Sequence, residues 1–143
     1  MTTMTEKFKI LGQYIKDMSS ETPDVQSFLF TKDNISKYEL DIDISSKPLK
    51  NKLIEVNTCL KFHDKTKQEK KSYFEVIYTS VVRIEDVVKE KKDLQRIILC
   101  DVPTEIYTKL EKILLNLLSD SGYPGVKFDK KIDFNNLFKE KFN

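Results

Sequence analysis

Hydrophobic residues recur along this chain with two different periods, and the change of period divides it. Segment 35–44, ISKYELDIDI, alternates: Tyr38, Leu40, Ile42 and Ile44 fall on one side, Glu39, Asp41 and Asp43 on the other. Period two predicts a half-buried antiparallel strand. Segment 54–62, IEVNTCLKF, repeats the pattern. Ile54, Val56, Leu60 and Phe62 share one face, and Glu55, Asn57, Cys59 and Lys61 the other. Segment Tyr73–Ile84, YFEVIYTSVVRI, is the richest in strand formers. Phe74, Val76, Tyr78, Val82 and Ile84 alternate with Tyr73, Glu75, Ile77, Thr79, Val81 and Arg83, so this strand is apolar on both sides. Between these two strands, HDKTKQEKK predicts a solvated hairpin tip. Upstream, QYIKDMSSETPDVQSFLF predicts a strand over residues 13–18. Pro23 ends its pairing by removing a donor. The same stretch closes on Phe28-Leu29-Phe30, apolar residues that either line a groove or close the core.

The second half has helical periodicity. Asp93 is placed to cap a short helix carrying Leu94, Ile97 and Ile98. A longer helix is expected to start within 101–104, where Pro103 suits a first turn. Its apolar stripe is Ile106, Leu110, Ile113, Leu114, Leu117 and Leu118, and Gly122 ends it. Asp133 is a candidate N-cap for a last helix with Phe134, Leu137 and Phe138 on one face, extended by Phe142. Segment 85–92, EDVVKEKK, reads as a mobile crossover. Strands followed by helices predict an α+β fold: a four-stranded antiparallel sheet with a long helix and a short C-terminal helix packed on one face. A chain of 143 residues fits one domain, 1–143, although a core shared with a partner subunit is equally compatible.

Composition changes this picture mainly by exclusion. The net charge of +2, from 25 basic and 23 acidic residues, is too balanced for a nucleic-acid footprint. The clusters at 70–73 and 89–92 mix Lys with other residues and read as solvated loops. The first ten residues lack the apolar run of a secretory signal. The longest apolar run, ILLNLL, falls far short of the roughly 20 residues of a membrane span. Cys59 and Cys100 lack metal or redox spacing and suggest a reducing cytoplasm.

Candidate chemistry is sparse. His63 lies in a lysine-rich turn without a paired nucleophile and reads as a solvated surface residue. With three glycines in these positions no phosphate-binding loop is possible. Asp41 and Asp43 share a strand face, a spacing that suits a hard cation, but a solvated sheet surface explains them more simply. No catalytic residue, metal ligand or cofactor site is assigned, and the chain reads as no enzyme. An acidic, partly apolar sheet face beside a doubly apolar strand points to binding by surface, with subunit association an equal alternative.

At this point the sequence resembles the SecB family of protein-export chaperones. YIKDMSSETPDV (14–25) resembles the family's opening segment, FTKDNISKYELDIDI (30–44) its F-x-K-D and L-D-I-D elements, and IEV (54–56) its Y-E-V. YFEVIYTSVVRI is similar to the fourth family strand. GYP (122–124) and KIDFNNLF (131–138) resemble its last two elements. The order holds over roughly residues 8–142. Several positions differ from the family pattern. Asn34 stands for an aromatic or proline, IYTKLE (106–111) for F-P-Y-A-R, and Lys131 for a proline. The balance is basic rather than acidic, and no acidic, glutamine-rich tail follows FKEKFN.

The resemblance implies a homotetramer, a dimer of dimers with the long helices between sheets. It also implies an ATP-independent cytoplasmic holdase that binds unfolded preproteins, keeps them translocation-competent and passes them to the SecA motor. The alternative on the same scaffold is a general cytosolic chaperone without SecA docking. Position by position, the resemblance assigns SecA docking to Asp17, Glu21 and Glu75, with Tyr73 beside them; Asp41, Asp43 and Glu55 enrich the same face. Client binding is expected at Phe28, Phe30, Ile77, Tyr78, Val81, Val87 and Val88, whereas Phe74 and Val76 are expected in packing or a subunit interface.

Overall fold

The computed structural model describes residues 6–65, 71–128 and 132–142. Four antiparallel strands form one sheet in the order β1-β4-β3-β2. They are β1 (Phe8–Glu21), β2 (Glu39–Pro48), β3 (Leu53–His63) and β4 (Tyr73–Ile84). Leu60 pairs with Ile42 on one side and Val76 on the other, and this register brings the apolar sets of three strands onto one face. The β2–β3 turn is tight. Asn51 and Lys52 both take positive φ, 62° and 64°, the mirror-image geometry that matches strand twist.

Strand β1 is longer than the expected 13–18. It pairs with β4 from Phe8↔Ile84 to Glu21↔Tyr73 and stops two residues before Pro23. Register shifts at Leu11 and Lys16 are bulges, which hid the strand's true length by breaking its alternation. Residues 25–34 correct the expectation more sharply. They form helix α1 (Val25–Asn34), where the sequence pattern predicts only an apolar cluster and no element. Asp24 caps it, its carboxylate accepting from the Ser27 N–H at 2.8 Å. The helix buries Ser27 and Thr31, while Leu29 is 52% exposed. A buried polar network then ties it down. Thr31 Oγ1 lies 3.0 Å from the Tyr38 hydroxyl and accepts from the Ser72 N–H at 2.9 Å.

The crossover is short and tethered. The Glu85 N–H donates to the Lys7 carbonyl, and Lys52 pairs with Asp86. Helix α2 (Lys91–Arg96) begins before Asp93, with Glu90 at its cap. The long helix α3 (Val102–Asp120) starts within the expected 101–104 with Pro103 in its first turn, but α2 runs into it without a loop, through a π-helical stretch, Ile97–Asp101. Pro103 explains the π stretch. Its ring would collide with the carbonyl four residues back, and the wider turn just before it relieves that collision. Thr104 Oγ1 donates to the Cys100 carbonyl at 2.6 Å.

Helix α3 lays Ile106, Leu110, Leu114 and Leu118 on Leu60, Phe62, Phe74, Val76 and Tyr78 to make the main core. Full burial of each such side chain stabilises by about 1.5–3 kcal/mol. A second cluster, Ile54, Val56, Val82, Ile97 and Val102, lies under the π stretch. Helix α4 (Phe134–Phe142) starts as expected, the Asn136 N–H bonding to Asp133. Phe134 and Phe138 are buried; the Phe142 side chain lies outside the described residues, as do 66–70 of the hairpin tip and Lys131.

Candidate docking face and client trough

One face of the sheet is covered by α3, and the other carries no helix among the described residues. Pairing decides what the uncovered face presents. Glu21 sits opposite Tyr73, Ser19 opposite Glu75 and Asp17 opposite Ile77. The four residues assigned to docking, Asp17, Glu21, Tyr73 and Glu75, therefore form one contiguous patch on β1 and β4. The Tyr73 hydroxyl donates to the Glu75 carboxylate. Burial, then the Glu75 carboxylate, pushes the Tyr73 phenol far above its usual range.

The middle of this face is organised by hydrogen bonds. Thr79 Oγ1 donates to Asn57 Oδ1 at 2.6 Å, and Asn57 Nδ2 donates to Glu55 Oε2 at 2.8 Å. The Asn57 bond, then Lys16, holds the Glu55 carboxyl below its ordinary value against the opposing effect of burial. Two lysines temper the acidity: Lys16 lies 3.7 Å from Glu55 and Lys61 4.0 Å from Glu75. Cys59 sits among these groups, its thiol raised to about 11 by burial and then by Glu75.

His63 is not the solvated residue that its neighbours suggested. It ends β3, its side chain only 24% exposed, with Nε2 2.6 Å from Asp41 Oδ2. Sequence reading missed this pair because the partners are 22 positions apart and only the β2–β3 register brings them together. Among the described residues no cluster of three or more His, Cys, Asp or Glu is placed to hold a metal ion. Both cysteines are free.

The residues assigned to client binding do not converge. Tyr78 points into the core, 2% exposed, its hydroxyl donating to Gln13 Oε1 at 3.0 Å. It shares the covered face with Phe74 and Val76 and cannot line an open groove. Ile77 and Val81 lie half-buried on the uncovered sheet face. Phe28 packs on Tyr123, ring centroids 5.4 Å apart, and Phe30 is half-buried on α1. Val87 is 53% exposed on the crossover, and Val88 packs on the second cluster.

A different apolar surface follows the inner side of edge strand β2. Three depressions run along it. One of about 360 Å³, between the β2–β3 turn and the crossover, is lined by Leu49, Leu53, Ile84, Val88 and Leu94 together with the charged Lys52, Glu85 and Asp86. One of about 200 Å³ is lined by Ile42, Ile44, Leu99, Leu137 and Phe138. The last, about 400 Å³, is mixed: Ile35, Tyr38, Leu40, Phe62 and Phe128 line it together with Ser36 and Lys127. Leu40, Ile42 and Ile44 read as core from their alternation, yet they are only half-buried, because α3 does not reach over the sheet edge.

An antiparallel sheet with one face covered by helices and the other open is an α+β architecture. The SecB model, preprotein translocase subunit SecB, matches residues 2–143, and the chain belongs to that family. A relative from Pelagibacter ubique (strain HTCC1062) that carries the SecB name is 58% identical over 140 residues, covering 98% of this chain and 100% of its own. Protein-export protein SecB of Mesorhizobium japonicum is 26% identical over 132 residues, covering 92% of this chain and 77% of its own. Among solved structures, the fold is similar to a SecB-like chaperone of Mycobacterium tuberculosis in complex with an antitoxin peptide. The TM-score is 0.62 at 7% identity, with 87% of this chain and 91% of the other covered. SecB proteins are chaperones rather than enzymes. Among the described residues no helix is long and apolar enough to cross a membrane.

Proposed function

We propose that the chain is an ATP-independent cytoplasmic holdase that binds non-native preproteins, keeps them translocation-competent and delivers them to SecA. The trough along β2 carries this reading. Its ten residues span about 33 Å at strand rise, room for a similar length of extended client. Apolar lining binds by area, roughly 25 cal/mol per Å², without demanding a fixed sequence. Val88 lines the trough at the crossover and exposed Val87 is next to it in the chain, whereas Phe28 and Phe30 stand on α1 and line none of its depressions. Ile77 and Val81 offer separate apolar contact on the uncovered face.

Delivery follows from that face. Asp17, Glu21 and Glu75, with Tyr73 among them, are complementary to a basic docking module, and such complementarity chiefly speeds and orients encounter. Assembly as a homotetramer, a dimer of dimers, is supported by apolar surface on the β1 side. Ile15 and Met18 are 43% and 48% exposed. Half-buried Ile113 and Leu117 continue the i, i+4 row of α3 that ends at Ser121, whose hydroxyl lies 2.7 Å from that of Ser20.

The direct test is aggregation of a chemically denatured client at stoichiometric ratio without nucleotide. Suppression supports the holdase, and no suppression overturns it. One observation favours the second reading, a general cytosolic chaperone without SecA docking: Lys16 and Lys61 partly neutralise the acidic face. Suppression without SecA binding would select it.

A further inference from the structure

We propose that His63 is a proton-sensitive control on the docking face, weakening capture of a basic partner when it becomes protonated. The inference rests on the docking reading above. A file of side chains crosses the sheet from β2 to β4. Asp41 pairs with His63 at 2.6 Å, the His63 ring stands edge-on to Tyr73 at 6.4 Å, and the Tyr73 hydroxyl donates to Glu75. The sole histidine of the chain is thus joined to two residues of the docking patch.

The charged and titratable groups around it come from every neighbouring element. Glu39 is its register partner on β2, and Asp41 its hydrogen-bond partner on the same strand. Lys61 lies on β3, and Lys65 just beyond it bridges Glu39 at 2.9 Å and Asp41 at 3.5 Å. Tyr73 and Glu75 face it from β4. Lys65 already offsets one of the two β2 carboxylates, so with a neutral imidazole this corner keeps one negative charge. A proton on His63 removes it. The new charge sits within one Debye length of Tyr73, so a partner on the patch experiences it, and salt weakens the effect. Histidine is the side chain whose ordinary titration falls between pH 5 and 8.

The experiment compares wild type with His63→Gln, which keeps a donor for Asp41 but cannot be protonated, and with His63→Lys, which is charged throughout. Affinity for SecA is measured at pH 7.5, 6.5 and 5.8 at low ionic strength. The expected result is a ratio of wild-type to His63→Gln affinity near one at pH 7.5, falling about two- to fivefold by pH 5.8, with His63→Lys weak at every pH. Titration of SecA itself cancels in the ratio. In the free protein, the Tyr73 ring resonances should shift with the same midpoint as the His63 imidazole. Binding with a pH-independent ratio, or a Tyr73 signal indifferent to His63, would overturn this inference alone. Absence of SecA binding by all three proteins at every pH would overturn the docking reading.

Discussion

Gly122 and Phe28 are fitted to each other. A Cβ placed on Gly122 would lie 2.7 Å from Phe28 Cε1, and the glycine holds φ +108° at the end of α3. Phe28 therefore closes the fold, seating α1 on the α3 terminus through Gly122 and Tyr123. Gly122→Ala is expected to destabilise through both strain and collision, by about 1–3 kcal/mol. Denaturant unfolding measures it. Phe28→Ala should cost stability before client affinity, about 3–5 kcal/mol if the site cannot collapse and less where the ring is partly exposed.

Tyr78 makes the complementary case on β4. Tyr78→Phe removes the hydroxyl that donates to Gln13, a change worth about 1 kcal/mol of stability. Client suppression should stay at the wild-type level. A large loss of client binding without loss of stability would return Tyr78 to the binding surface.

Much of this was legible from alternation alone. Strand β4 has the expected bounds, and the inward set of β3 is buried, because its strand neighbours on both sides make period two unambiguous. Legibility failed where a local rule was overridden. The bulges at Leu11 and Lys16 break the alternation of β1. In α1 the buried residues are the small Ser27 and Thr31, so no apolar stripe announces a helix. Pro103 signalled the start of α3 correctly, but not the π stretch that joins α2 to it without a loop. The carboxylates assigned to docking came from family resemblance, and strand register gathers them on one face. The trough was not legible, since Leu40, Ile42 and Ile44 look like core until the reach of α3 is known. The Asp41–His63 pair likewise needed the register.

Charge reversal tests the docking patch. Asp17→Lys, Glu21→Lys and Glu75→Lys together replace three carboxylates with ammonium groups on one face. SecA binding should fall at least tenfold, mostly through slower association, with client suppression unchanged. The two exposed β1 positions should cost little stability, whereas Glu75 also loses its bond from Tyr73. Undiminished SecA binding by the triple variant would remove the export role from this face.

The Asp41–His63 pair also predicts an acid-side slope in stability. The hydrogen bond from His63, aided by Lys65, holds the Asp41 carboxyl below the ordinary carboxylate range. A carboxyl depressed in the folded state binds protons less readily than in the unfolded chain. Its stabilisation is therefore full above the unfolded value near 4 and is lost as pH falls through the folded one. The side chain is 43% exposed, so solvent screening limits the effect to about 1 kcal/mol or less. Asp41→Asn should lower the unfolding free energy by about 1 kcal/mol or less at pH 8, where that stabilisation is full, flatten its slope between pH 5 and 2.5, and leave the low-pH end nearly unchanged.

Cys59 predicts chemical inertness despite lying on an open face. With its thiol at about 11, only about one molecule in a thousand is thiolate at pH 8. Cys100 is buried. Neither should react readily with an alkylating reagent until the protein is unfolded, and mass spectrometry after timed labelling reads this directly. Rapid native labelling of Cys59 would show a thiol far more acidic than its acidic, half-buried surroundings allow.

The trough is most cleanly tested at Leu137. It lines the middle depression with Ile42, Ile44 and Phe138, yet is 44% exposed, so a polar replacement need not unfold the core. Its neighbours on α4, Phe134 and Phe138, are buried and should keep the helix in place. Leu137→Glu puts a charge where an apolar client segment would lie, and desolvating that charge opposes binding. The affinity for an unfolded client should fall about three- to tenfold, with a change in stability within about 1 kcal/mol. Val87→Glu at the crossover should act in the same direction more weakly, because Val87 stands beside the trough's end rather than in its middle. SecA binding should be unaffected by either change, since both lie away from the open sheet face. If Leu137→Glu holds clients as well as wild type while Ile77→Glu does not, the client surface is the uncovered sheet face, and the β2 edge loses its role.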